Sequence, residues 1–132
     1  MSVLTGSIRL SAEGPLDPDA VWRRYTEPAR WNTWAPHLSE VDYPHKRVRA
    51  GTTGRASGPG GVVALFRVES VDPDARTWSW SVRTGPLRLS FDHGVDEVGA
   101  DSRAWVVIHA PWPVAIGYAP VARWALEKLV TP

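Results

Sequence analysis

From Ser7 to Glu13 (SIRLSAE) apolar and polar residues alternate, a period of two that predicts a strand. Pro15 and Asp17 break it. Asp17-Pro18-Asp19-Ala20 carries the marks of a helix start: a capping carboxylate, proline at the first helical position and an acid in the first turn. Val21, Trp22 and Tyr25 then follow at helical spacing, and Pro28 ends the segment because the residue before a proline avoids the helical region. A second short helix is predicted over residues 29–34, stopping before Pro36. Beyond it the period returns to two. Strands are predicted at 38–43, 52–57, 62–71, 77–83, 87–95 and 103–110. The turn sequences SGPGG, DPDAR, Thr84-Gly85-Pro86 and Gly99 to Ser102 lie between the later ones. Trp78, Trp80 and Val82 share one strand face, and Leu87, Leu89, Phe91, His93 and Val95 share another. The tail, PWPVAIGYAPVARWALEKLVTP, closes in a helix with Pro120 in its first turn. Val121, Trp124, Ala125 and Lys128 form one stripe on it, with Ala122, Leu126 and Leu129 beside them.

The order strand, two helices, six strands, helix predicts an α+β fold, one domain over residues 1–132. A curved antiparallel sheet of about seven strands wraps the final helix, because each apolar strand face needs cover. The two early helices close one end.

Composition narrows the chemistry. The 132 residues suffice for a core that stands alone. With no cysteine there are no disulfides, thiolate nucleophiles or cysteine-held metals. Fifteen basic residues, thirteen of them Arg, nearly balance fourteen acidic ones, so the charge argues for neither a nucleic-acid nor a membrane-surface partner. No signal-peptide-like start and no membrane-spanning run is present, which predicts a cytoplasmic protein without integral membrane association. Eight tryptophans are the anomaly: such a density fits either a crowded core or a ring-lined pocket. Two of them, Trp31 and Trp34, lie three apart in PARWNTWAP.

The segment VWRRYTEPARWNTWAPHLSEV, together with FRVESVDPDARTWSW, the strand ending His93-Gly94-Val95 and the closing helix, resembles the START-like (SRPBCC) superfamily, in its polyketide cyclase/dehydrase and lipid-transport branch. The resemblance covers nearly the whole chain and speaks for fold more than chemistry. It implies a helix-grip fold whose sheet and C-terminal helix enclose a hydrophobic cavity that binds lipids, hormones or polyketides. Some relatives catalyse cyclisation or dehydration. The tail here is short and interrupted by Pro113, Gly117 and Pro120, which implies a smaller or more open cavity.

Phe66, Trp78, Trp80, Phe91 and Trp124 are the candidate cavity wall, each on an inward strand face or helix stripe. The competing reading is that these rings simply fill the core. In the helix 29–34, one of Trp31 and Trp34 can anchor the helix to the sheet while the other, Trp34, reaches the cavity mouth; the alternative is that both are structural anchors. His37 follows Pro36 at that mouth. His93 is the polar member of an apolar face: either a proton-transfer or ligand-binding group, or a histidine satisfied at a strand end. Tyr25, Tyr43 and Tyr118 could each supply a phenol to a pocket, and Tyr118, before the last helix, is the best placed. The four histidines show no metal-ligand spacing, no cofactor fingerprint is present, and no Ser-His-Asp arrangement is recognisable in the sequence. The basic stretch HKRVRAGTTGR reads as the solvated face of a hairpin. Three functions remain open: a binding protein for a small hydrophobic ligand, a polyketide cyclase or dehydratase using His93 or Tyr118, and a protein-interaction module with an outer apolar patch near Trp105 or Trp112. Oligomeric state is not specified by the sequence.

Overall fold

A computed structural model describes residues 5–132. Its elements run β1 (Thr5–Gly14), α1 (Pro18–Thr26), a 3-10 turn (Pro28–Arg30), α2 (Trp31–Trp34), β2 (Glu40–Asp42), β3 (Thr53–Ser57), a turn at Pro59–Gly61, β4 (Val63–Asp72), β5 (Thr77–Thr84), β6 (Leu87–Val98), β7 (Asp101–Pro111) and α3 (Trp112–Leu129). The strands form one antiparallel sheet in the order β1-β7-β6-β5-β4-β3-β2.

The start of α1 follows its local chemistry. Asp17 Oδ2 accepts from the Asp19 and Ala20 backbone N–H groups at 3.1 and 3.3 Å, and Pro18 occupies the first helical turn. Two elements differ from the sequence reading. The strand expected over 38–43 is reduced to Glu40–Asp42, between Pro36 and Pro44. The closing helix starts at Trp112, eight residues before Pro120, so Pro113 fills the first-turn position and Pro120 sits inside the helix. There Pro120 has no N–H for the Ile116 carbonyl, one turn earlier.

The inner face of the sheet carries the core in lateral rows. Val68, Trp80, Phe91, Ile108 and Ile8 form one row across five strands. Val71, Trp78, His93, Val106 and Leu10 form the next. A bulge between Val68 and Ser70 keeps Val68 and Val71 in these two rows, although they are three residues apart. Against this face pack α3, through Ala115, Ala122, Ala125, Leu126 and Leu129, and α1, through Val21 and Tyr25. The buried stripe of α3 is therefore the Ala122-Leu126-Leu129 one, with Ala125, while the expected inward Trp124 is 47% exposed.

Near β6 and β7 one aromatic lies across the outer face. Trp105 pairs with Gly94 in the β6–β7 register, and its ring occupies the space a Gly94 side chain would need. The Arg9 guanidinium sits 4.5 Å from the centre of the Trp105 ring. Gly94→Ala is expected to destabilise the chain by about 2 kcal/mol in urea unfolding, the usual cost of overpacking. In a Trp105→Ala background the same substitution should cost little. Equal costs in both backgrounds would show that Trp105 is not what excludes a side chain at Gly94.

Candidate functional site

The two lateral rows place Trp78, Trp80, Phe91 and His93 side by side on β5 and β6. Residues i and i+2 of a strand share a face, so the pattern W-S-W on β5 opposite F-D-H on β6 makes a two-by-two block of rings. His93 stacks on Trp78 with ring centres 3.9 Å apart and planes 11° from parallel. Trp80 meets Phe91 edge-on at 6.2 Å.

Helix α2 supplies the opposite wall. Trp31 is 1% exposed; it stacks on Trp78 at 5.9 Å and meets Trp80 edge-on at 5.2 Å. Its indole N–H donates to the Tyr25 carbonyl at 2.9 Å, and the Trp34 indole N–H donates to the Arg24 carbonyl at 2.9 Å. Both tryptophans of PARWNTWAP thus tie α2 to the end of α1, and both also border the cavity. α3 contributes Tyr118, Ala122, Ala125 and Leu126. Together with Ala35, His37, Leu38, Tyr25 and Val106 these groups enclose a cavity of about 90 Å³.

Of the residues expected at the site, Trp34, His37, Trp78, Trp80, Phe91, His93 and Tyr118 border this cavity. Phe66 is buried one layer behind, 4.7 Å from the Trp80 ring centre and 5.6 Å from that of Trp31, where it buttresses the wall. Trp124 takes no part: it lies on the solvent side of α3 with the Lys128 ammonium 5.5 Å from its ring centre. Tyr25, which the sequence ranked behind Tyr118 as a pocket phenol, also stands in the wall. Its OH donates to the Trp105 carbonyl at 2.9 Å, and its ring meets Trp34, Trp78 and His93 edge-on. The Val21-Tyr25 spacing on one helix face was the available signal.

The polar groups of the wall are held uncharged. The His93 Nδ1–H donates to the Trp78 carbonyl at 3.1 Å, which leaves Nε2 with its lone pair free to accept. Burial pushes the His93 imidazole down to about 3, against smaller upward effects of that hydrogen bond and of Asp92. Burial also raises the Tyr118 phenol to about 12 and lowers His37. His37 Nε2 and Tyr118 Oη share a 3.0 Å hydrogen bond between the β2-side loop and α3. Three lining side chains carry a buried polar atom with no hydrogen-bond partner among the described residues: Trp78 Nε1, Trp80 Nε1 and His37 Nδ1.

A Ser-His-Asp chain does exist, elsewhere. Ser7 Oγ is 2.8 Å from His109 Nδ1, and His109 Nε2 is 2.9 Å from Asp92 Oδ2. Only strand pairing brings these residues together, so their order in the chain concealed them. They form a cross-strand polar ladder on the outer face, away from the cavity, with Ser7 exposed. Among the described residues no group of three or more His, Asp or Glu is placed to hold a metal ion. Among the described residues no helix is long and apolar enough to cross a membrane.

These features make a helix-grip fold: a curved seven-stranded antiparallel sheet, two short helices after β1, and a long C-terminal helix over the cavity. The chain is similar in structure to the ginseng major latex-like protein 151 from Panax ginseng (TM-score 0.78, 15% identity, 96% of this chain and 95% of that one). It is likewise similar to Ara h 8.0201 (0.76, 11%, 95% of each chain) and to the hypothetical protein jhp0584 from Helicobacter pylori (0.78, 13%, 98% and 87%). At these identities the likeness is one of fold. No protein-family model and no curated protein sequence matches the chain.

The folded chain keeps His93 neutral down to about pH 3, whereas in the unfolded chain it protonates near 6.5. Between those values the unfolded state binds more protons, so His93 makes stability fall as pH drops from about 6.5 toward 3. The slope from this one residue approaches about 1.4 kcal/mol per pH unit. His93→Phe keeps the ring stack and should flatten the decline in urea-unfolding free energy by that amount. Parallel pH profiles for the two proteins would mean that His93 is not kept neutral by the fold.

Proposed function

We propose that this chain binds a compact, flat hydrophobic molecule in the aromatic cavity between the sheet and α3, acting in the cytoplasm as a binding protein without a cofactor. The observation that carries the reading is the wall itself: apolar rings on three sides, with a few polar atoms left unpaired in it. Indole N–H groups only donate, so their complement is a ligand with acceptor atoms such as a carbonyl or ether oxygen. A buried donor without a partner costs about 1–3 kcal/mol, which a ligand acceptor can recover. Size restricts the class further. An apolar cavity of about 150 Å³ takes a benzene, and this one is about 90 Å³. A single ring already requires the wall to give way, and an extended lipid does not fit without opening the fold at α3.

A second reading, a polyketide cyclase or dehydratase, is favoured by the His37–Tyr118 hydrogen bond. A phenol and an imidazole in contact can pass a proton to or from a bound ketone. The pair suits that task better than His93, whose neutral ring is a weak base. Loss of one water from a linear poly-β-ketone analogue, abolished by Tyr118→Phe, would support this reading over simple binding.

The test of the binding reading is a titration of aromatic and polyketide-like compounds followed by tryptophan fluorescence, in the natural chain and in Ala122→Leu. Ala122 is a buried residue in the α3 wall, and a leucine there fills space without breaking the helix. The expected result is saturable quenching by at least one acceptor-bearing aromatic compound, weakened about tenfold or more by Ala122→Leu, the scale of about 1.4 kcal/mol. Thermal stability should be unchanged or raised. Quenching that Ala122→Leu leaves intact would place the ligand elsewhere and defeat the proposal.

A further inference from the structure

The outer face of the sheet carries a second feature, independent of the cavity. One lateral row there reads Asp42, Arg55, Leu65, Arg83, Arg88 across β2 to β6. Arg83 and Arg88 are directly opposite each other, and both are exposed. Like charges so placed destabilise a strand pair. Among the described residues neither arginine, nor Arg55, has a carboxylate within ion-pair distance. Asp42 faces Arg55 in register but does not close an ion pair with it.

Apolar side chains surround this cationic row. Val62, at the end of the β3–β4 turn, is 55% exposed, and Val63 and Leu65 are exposed as well. The β3–β4 and β5–β6 tips touch, since the Thr84 hydroxyl donates to the Val63 carbonyl at 3.1 Å. Between the tips lies an open groove formed by Val63, Leu65, Gly85 and Pro86 with the three arginines. The geometry points to this end of the sheet as a docking surface for an anionic lipid bilayer. Val62 and Val63 enter the interface, and Arg55, Arg83 and Arg88 meet the headgroup phosphates.

Charge complementarity and shape select that occupant. The unpaired arginines need anions, and exposed valines at a turn tip gain by leaving water. Single-stranded nucleic acid wants aromatic platforms for its bases, and the groove holds none. Because the net charge of the chain is only +1, attraction to the surface comes from this local cluster. The same end lies beside the cavity wall: the His37 carbonyl is 3.7 Å from the position a Gly58 side chain would take, at the start of the β3–β4 turn.

The experiment is co-sedimentation of the full chain with phosphatidylglycerol–phosphatidylcholine vesicles and with pure phosphatidylcholine vesicles, at low and raised salt. Binding is expected to the anionic vesicles only, and to weaken with salt. Arg83→Ser combined with Arg88→Ser should lower the partition coefficient about thirtyfold, at about fivefold for each arginine beside an anionic surface. Val62→Asp should lower it about tenfold or more, the scale of one exposed apolar side chain leaving water. Circular dichroism should show all variants folded, since every altered side chain is on the surface. Equal binding to neutral vesicles, no binding to anionic ones, or binding indifferent to both variants would overturn the proposal. So would arginine-dependent binding of an oligonucleotide or an acidic peptide without vesicle binding. No cavity ligand is needed in the assay, so its outcome is separate from that of the fluorescence titration.

Discussion

The indole of Trp31 is the contact on which the site depends. Its N–H closes a hydrogen bond to the last turn of α1, and its ring lies between Phe66, Trp78 and Trp80. A four-residue helix has too few internal hydrogen bonds to hold its own shape. α2 therefore exists because Trp31 and Trp34 fasten it at two points, one to the Tyr25 carbonyl and one to the Arg24 carbonyl. Remove the anchor and the wall facing β5 loses its position, so folding and site formation are one event in this part of the chain.

The cavity follows from a mismatch in residue size. On the sheet side the wall is built of rings; on the α3 side the small Ala122 and Ala125 stand beside the larger Tyr118 and Leu126. Ala122 and Ala125 let the helix backbone approach closely, yet they leave space where larger side chains would have met the rings. Close packing normally removes such space. It persists because rings cannot deform to fill a gap smaller than themselves, and because the alanines offer no atoms to do so. The interruptions at Pro113, Gly117 and Pro120 leave α3 continuous; the small volume comes from the rings.

The low polarity that makes the cavity hospitable to apolar molecules also sets the state of the groups around it. His93 and Tyr118 both stay uncharged at neutral pH because burial penalises their ions. The outer face carries charge instead: Arg9 lies over Trp105 and the arginines of β3, β5 and β6 stand in one row. The sheet thus separates two chemistries, a neutral inner face and a charged outer one, through the alternation of side chains along each strand.

That alternation is also why so much was legible in the chain itself. The period of two and its turn residues marked β1 and β3 to β7, the Asp17-Pro18 pair marked the start of α1, and the spacing of Trp78, Trp80, Phe91 and His93 put four rings on inward faces. These are local properties, set by backbone geometry and neighbouring residues. The extent of α3 was not local: proline suits a first turn at either Pro113 or Pro120, and only packing on the sheet chose the earlier start, and packing also set the helix phase that put Trp124 outward and Ala122 inward. Neither the Ser7–His109–Asp92 ladder nor the Arg55–Arg83–Arg88 row is visible in sequence order, because each joins residues on different strands through register. The His37–Tyr118 contact spans 81 positions for the same reason. The sequence by itself determined the alternation of inward and outward residues along the regular strands, though not across the bulge in β4. Which of them meet was decided by strand register and helix phase, which only the whole core, packed at once, can settle.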